Sequence, residues 1–364
     1  MIQSLRNKFV KERFDLQEIL LVPVFATVLA LLIGCFFLLA TGESFANIFV
    51  AYSSLFIGSL GSLNAISETF TAATPLVFAA LGIALAFRAG LFNIGAEGQM
   101  IIGGLATVIV GFSIDFLPIW IHLPLALSIG ALFGALYAAI AGWLKAYTGA
   151  HEVISTIMLN LIALRLLDYV LRSPIIQKEG RNDPISKSIL DSAELPQILA
   201  FIDPQLRLHG GFLLMLVAVF FIYWLLFHTT IGYEFRTTGA NPNAAKYAGV
   251  NSSLAVILAM SAAGLCAGLA GASQISGVLG RATSGFSAGI GFDAIAVALL
   301  GRAHPIGIFF SGILFGALVA GGRQMQVSAG VSLDLITVIQ ALIIIFIAAP
   351  ILIKSVFPWF FPKA

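Results

Sequence analysis

A chain of 364 residues that is 59% hydrophobic, only 10% charged and of mean hydropathy +1.02 lies outside the composition of soluble globular domains, and implies an integral membrane protein. A formal net charge of +2, with no block of Lys or Arg, excludes a nucleic-acid footprint, and the 36 glycines follow no tripeptide period. Cys35 and Cys266 each stand in an apolar run, so they read as packed hydrophobes and define no disulfide framework.

In chain order, residues 1–18 are mostly polar and form an N-terminal segment, and the apolar run after them is long enough to be a retained helix, not a cleaved signal peptide. A hydrocarbon core of about 30 Å needs roughly 20 helical residues. Cutting the chain at charges, prolines and polar stretches gives ten spans, near 19–40, 69–87, 98–114, 123–145, 153–171, 210–228, 252–272, 289–301, 305–321 and 333–353. The runs are continuously apolar, which excludes a β-barrel; the predicted fold is all-α and polytopic, one transmembrane domain over 1–364. The eighth span is too short to cross unaided and follows the glycine-rich GRATSGFSAGIG at 280–291, so a broken or re-entrant element is expected there.

With the N-terminus inside, eleven of nineteen Lys and Arg fall on the cytoplasmic side, and five of the outer seven lie in one long loop, 172–209. Both termini are therefore expected in the cytoplasm. AGLFNIGAEGQMIIGGLA (89–106) and AGIGFDAIAVALLGRA (288–303) match loosely, pairing spans two to five with seven to ten; this odd offset predicts an inverted repeat. Gly130/Gly134, Gly264/Gly268 and Gly312/Gly316 are small-xxx-small pairs suited to close helix contacts.

Polar residues inside such a bundle are the candidates for function. In FRAGLFNIGAEGQM (87–100), Asn93 and Glu97 share a helical face; Glu97 either lines the path or pairs with Arg88. Asp293 either lines the path or caps its helix, Gln274 offers neutral hydrogen bonds, and Asn160 is a further path candidate. Arg165 and Asp168, three apart, are expected to pair, and Asp334 to cap the last span. TTIGYEFRTTGANPNAAKYAGVNSS (229–253) is too elaborate for a connector; a turn at 239–242 and a short helix presenting Ala244, Ala245 and Ala248 suggest a cytoplasmic docking surface.

Catalytic patterns fail. His151-Glu152-Val153-Ile154-Ser155 lacks the second zinc ligand, and Gly285-Phe286-Ser287-Ala288-Gly289 lacks the strand a nucleophile elbow requires. His122, His209, His228 and His304 sit near span ends, where interfacial anchoring is expected. The dipeptide Gly-Lys never occurs, so there is no Walker A loop, and nucleotide energy must come from another polypeptide. The chain is expected to be no enzyme, with no cofactor and no metal.

FRAGLFNIGAEGQM, GAHEVISTIMLN (149–160) and TTGANPNAAKYAGVN together resemble the permease subunits of bacterial ABC importers for nucleosides and simple sugars, the group that includes ribose and branched-chain amino-acid permeases. The likeness covers about residues 20–353, and the FNIGAEGQ form is nearest the nucleoside branch. The resemblance implies a bacterial plasma-membrane protein forming half of a translocation pathway. It implies as partners an ATP-binding cassette ATPase, a second and different permease chain, and an extracytoplasmic solute-binding protein. It places Gly239, Asn241, Pro242, Ala244, Ala245, Tyr247 and Gly249 at the ATPase-coupling interface, within the loop 229–251, and Asn93 and Glu97 near the substrate path. The alternative is a proton- or sodium-coupled secondary transporter using Glu97 and Asp293.

Overall fold

The computed structural model describes residues 16–348. Arg6, Lys8, Lys11, Arg13, Lys354, Lys363 and the last residues of the tenth predicted span lie outside them. The described chain divides into two compact units, residues 1–58 with 321–364, and residues 59–320.

The smaller unit holds α1 (Leu16–Ala40), α2 (Phe45–Leu60), the end of α12 (Pro305–Ala329) and α13 (Leu333–Ala348). The Tyr52 hydroxyl donates to Leu31 O at 2.6 Å, and α13 packs on α1. Helix α2 is absent from the ten predicted spans. Asn47, Ser53, Ser54 and Ser59 dilute its apolarity, and its 16 residues reach only about 24 Å. Ser44 starts it by accepting from Asn47 N at 3.2 Å. Asn47 Nδ2 donates to Ala329 O at 3.1 Å, while Gly58 rests on Gln324. Gly321 packs on Leu55 O, so α2 from Asn47 to Leu55 lies against α12 from Ala329 back to Gly321. At the start of α13, Ser332 and not Asp334 occupies the capping position, accepting from Asp334 N at 3.1 Å and donating to its carboxylate at 3.0 Å. A hydroxyl can do both, which a carboxylate cannot.

The larger unit is built on α3 (Leu63–Arg88), α4 (Ala96–Ser113), α5 (Ile119–Thr148) and α10 (Ser252–Gln274). Helices α5 and α10 form its most extensive pair. A Cβ on Gly264 would stand 2.3 Å from Gly134 O, and one on Gly268 2.5 Å from Gly130 O, so the backbones touch where two predicted glycine pairs face each other. Helices α3 and α4 are mostly buried, whereas α6 (Glu152–Leu171) and α7 (Gly211–His228) expose most of their apolar surface. That polarity places α3, α4 and α10 at the centre and α6 and α7 toward lipid.

Helix α10 ends in a π turn, Ile275–Leu279, and a left-handed Gly280; an irregular strap follows to α11 (Ile290–Leu300), whose 11 residues span about 16 Å. The short, broken element expected from the sequence is present. Its freed backbone needs partners, and the loop 172–209 supplies them. Leu195 N donates to Ser276 O (2.8 Å), Ile189 N to Gly280 O (2.9 Å) and Ser186 N to Ala282 O (2.9 Å), while Ser186 Oγ accepts from Ala282 N (2.9 Å). Asp168 accepts from Ser284 Oγ of the strap, so the expected pair with Arg165, which is exposed, is not made among the described residues.

Two histidines expected at the interface are buried anchors of this loop. His122 bonds Ser192 Oγ (2.7 Å) and Val110 O (3.1 Å), and His209 packs against Gly277 of the π turn. His209 Nδ1 accepts from Gly211 N at 3.2 Å, so Nε2 carries the proton of the neutral ring. Burial, then the nearby Arg207 charge, lowers its pKa to about 4. The folded state therefore binds fewer protons than the unfolded one, and stability falls as pH drops below about 6.5, by roughly 2 kcal/mol at pH 5. Thermal melts of the purified protein should lose stability between pH 7 and 5, and His209→Gln should flatten that slope; an unchanged slope would contradict the assignment.

Candidate functional site

The segment joining α3 to α4 is held by amides. Asn93 Oδ1 accepts from Gly95 N at 2.9 Å, and the Asn93 and Gln99 side chains exchange two bonds of 3.1 Å. From α6, Asn160 Oδ1 accepts from Gly98 N (2.8 Å), its Nδ2 donates to Ile94 O (2.9 Å), and Thr156 Oγ1 accepts from Ile94 N (3.3 Å). A Cβ on Gly98 would lie 3.0 Å from Asn160 Cα, which is why glycine stands there. Each of these side chains is buried and spent on the chain's own backbone or on one another.

Glu97, 3% exposed in the first turn of α4, faces the strap. Its Oε1 accepts from Ser287 Oγ (2.5 Å) and Gly289 N (3.2 Å), and Oε2 from Gly291 N (2.7 Å). The expected pairing with Arg88 is therefore not made; Arg88 Nε donates to Ala303 O at 3.0 Å. Two backbone amides at the start of α11 and one hydroxyl thus converge on the carboxylate, as donors do at a helix N-terminus. The neighbouring Phe286 turns the other way, into an apolar cluster with Ile101, Leu105 and Leu167, its ring against Gly104. Sequence reasoning missed Ser287 as Glu97's partner, since it appeared only in a failed hydrolase pattern. The signal was a serine among glycines free to turn amides toward an anion, just ahead of a short apolar helix.

The structure brings Asn93 and Asn160 together on the segment joining α3 to α4, while Glu97, beside them in the chain, is bonded to the strap. Asp293 is half-buried in the first turn of α11, within Coulombic reach of Glu97; it does not cap, since α11 begins at Ile290 after Gly289. Gln274 stands apart, half-buried at the last residue of α10, one turn past Gly271, whose backbone abuts Met100 and Gly104. Among the described residues no group of three His, Cys, Asp or Glu is placed to hold a metal ion.

The segment after α7 forms two short helices, α8 (Thr230–Ala240) and α9 (Pro242–Tyr247). Thr229 caps the first, accepting from Gly232 N at 3.1 Å, and Asn241 caps the second, accepting from Asn243 N (3.0 Å) and Ala244 N (3.1 Å) ahead of a proline at the first helical position. Asn241, Pro242, Ala244, Tyr247 and Gly249 are exposed, Tyr247 at 96%. Ala245 faces inward at 2% exposure, and Gly239 is wedged against Arg88 O and Gly90 N, so these two support the exposed face from behind.

A polytopic helical bundle with a broken central helix, a buried polar cluster beneath it and a capped helical pair standing exposed after α7 has the build of a membrane permease. Residues 65–348 match the family model described as branched-chain amino acid transport system / permease component, and the chain belongs to that family. It is 38% identical to the guanosine ABC transporter permease protein NupP of Bacillus subtilis, over 93% of this chain and 95% of that one. It is 35% identical to the nucleoside ABC transporter permease protein NupB of Lactococcus lactis, over 93% of each. It is 34% identical to the glucose ABC transporter permease protein TsgB13 of Haloferax volcanii, over 89% of this chain and 86% of that one. No solved structure matches. The chain is thus a multi-pass plasma-membrane permease subunit of an ABC transporter, and ATP hydrolysis belongs to a separate subunit. The ion-coupled alternative does not fit that family.

Proposed function

We propose that this chain, acting as a single permease domain, forms half of the path by which an importer moves nucleosides into the cell, with a simple sugar as the second substrate class. The observation that carries this reading is the 38% identity with a guanosine permease along nearly the whole of both chains; the glucose permease relative supports the second class. Its partners are an ATPase, a different permease chain and an extracytoplasmic binding protein. Both termini are cytoplasmic, a reading supported by the eleven of nineteen Lys and Arg that then fall on that side. The path needs neutral hydrogen-bonding groups more than fixed charge. Gln274 and Asp293, only half-buried, are its better candidates; Asn93, Glu97 and Asn160 frame it.

Cells carrying this chain with its cognate partners should take up labelled guanosine, with excess unlabelled nucleoside competing and glucose not. Competition by glucose alone would move the reading to the sugar class, and no ATP-dependent uptake of either would overturn it.

The exposed face of α9 with its flanks is the ATPase dock. Ala244→Glu keeps the helix and adds charge on that face. It should leave the membrane level unchanged while co-purification of the ATPase falls about tenfold, the result of about 1.4 kcal/mol. Unchanged co-purification would show that the dock lies elsewhere.

A further inference from the structure

We infer that the cavity between the loop 172–209 and the π turn is an outer binding site for a sugar ring, held through its neighbouring hydroxyls; this rests on the permease reading above.

The cavity encloses about 460 Å³, and sites for small molecules typically span about 300–1,000 Å³. The break in α10 forms one wall, through Ser276, Gly277, Val278 and Gly280, and the loop forms the other, through Asp191, Glu194, Gln197 and Arg207. The bonds from Leu195 N to Ser276 O and from Ile189 N to Gly280 O tie the two walls together. The site is therefore built before a ligand arrives, and little ordering opposes binding. In the orientation proposed above the loop is extracytoplasmic, and Asp191, Glu194 and Gln197 are exposed on it.

The polar groups of this cavity are unspent. Asn93 and Asn160 are bonded to the chain's own backbone, whereas the side chains of Asp191, Glu194 and Gln197 make no hydrogen bond or ion pair among the described residues. Glu194 Oε1 lies 3.7 Å from the place of a Cβ on Gly280, the left-handed residue that ends the π turn, so this carboxylate reaches toward the opposite wall. Ser276 on that wall is 4% exposed, and its hydroxyl has no partner among the described residues. Buried polar groups are nearly always paired, so an unpaired hydroxyl in the wall of a cavity points to a ligand that completes it.

Carboxylates only accept, while an amide and a hydroxyl both donate and accept, so this set asks for a ligand with several donors held close together. Adjacent hydroxyls on a furanose or pyranose ring meet that demand. Ile119, Pro196 and Val278 offer apolar surface to the C–H face of the same ring. A metal ion fits less well: among the described residues no three His, Cys, Asp or Glu converge, and the Arg207 cation, 3.5 Å from Glu68, stands at the same cavity. The ring arrives either as the ribose of a nucleoside or as a free sugar.

The experiment purifies the chain in complex with its ATPase and second permease, omits the binding protein, and equilibrates the complex with labelled guanosine or labelled glucose. Binding of guanosine is expected, with unlabelled 2′-deoxyguanosine competing about tenfold less well than guanosine, since one donor to a charged acceptor is lost, and free guanine not competing. Glu194→Gln should weaken binding about tenfold for the same reason, and Asp191→Asn, which serves if the first variant does not assemble, should do likewise. Glu179→Gln, exposed on the same loop, should change nothing. Binding of glucose alone, weakened by the same two variants, would keep the site and make a free sugar its source. No binding of either label, equal binding in parent and variants, or guanine competing as well as guanosine would overturn the site. Uptake by cells carrying the parent transporter separates the two readings: guanosine uptake with an indifferent cavity sinks only the site, whereas no uptake of guanosine or glucose sinks the function itself.

Discussion

Gly264→Val is expected to empty the membrane of folded protein. The added Cβ would lie 2.3 Å from Gly134 O and 2.4 Å from the Cβ of Ala138, and the two further methyls have no direction of escape. Retreat of α10 from α5 is blocked on the other side, because Gly271 of α10 abuts Met100 O and Gly104 N on α4. Overpacking in a tight core typically costs about 1–3 kcal/mol, more where the obstacle is backbone. The amount of folded protein extracted in mild detergent should fall below about a tenth of wild type, while Leu132→Val, on the exposed face of α5, should leave it unchanged. Normal levels of folded Gly264→Val protein would mean that α5 and α10 do not meet as closely as described.

The second large effect is on transport and not on folding. In Glu97→Gln the amide NH₂ replaces one acceptor, so a donor faces Ser287 or the amides of Gly289 and Gly291. Leaving a buried donor unpaired costs about 1–3 kcal/mol, and a charged acceptor is lost as well. The strap should loosen while the Asn93–Gln99 and Asn160 contacts, which do not involve Glu97, keep α4 and α6 in place. Uptake should fall about tenfold or more in its maximal rate, with KM within about twofold and the protein still folded, since one tenfold step needs only about 1.4 kcal/mol. A rise in KM at constant maximal rate would instead make Glu97 a substrate ligand.

Much of this was legible in the sequence, for identifiable reasons. The spans are runs whose apolarity no loop sustains, and α11 was recognisable because the run 289–301, following a string of glycines, is too short to cross. The polar cluster stood out because Asn93 and Glu97 interrupt a hydrophobic chain. Its partners were hidden, since Ser287 and the amides of Gly289 and Gly291 lie some 190 residues away and a backbone donor has no sequence signature. Helix α2 was missed because its serines lower the apolarity that marks a span. The Arg165–Asp168 pair failed for a related reason: helical spacing makes a pair available, but a hydroxyl from the strap reached Asp168 instead. The segment after α7 stood out by its elaboration, while which alanine faces out was settled only by packing, Ala245 turning inward and Ala244 outward.

The central claim is that this bundle is a conduit without its own engine. The most direct measurement reconstitutes this chain with the permease proposed as its partner in vesicles, with and without the ATPase and the proposed binding protein, and follows labelled guanosine against a concentration gradient. Accumulation that requires the ATPase and ATP, and is lost in Ala244→Glu, is the predicted result. Accumulation by the permeases alone, driven by a proton or sodium gradient, would contradict it.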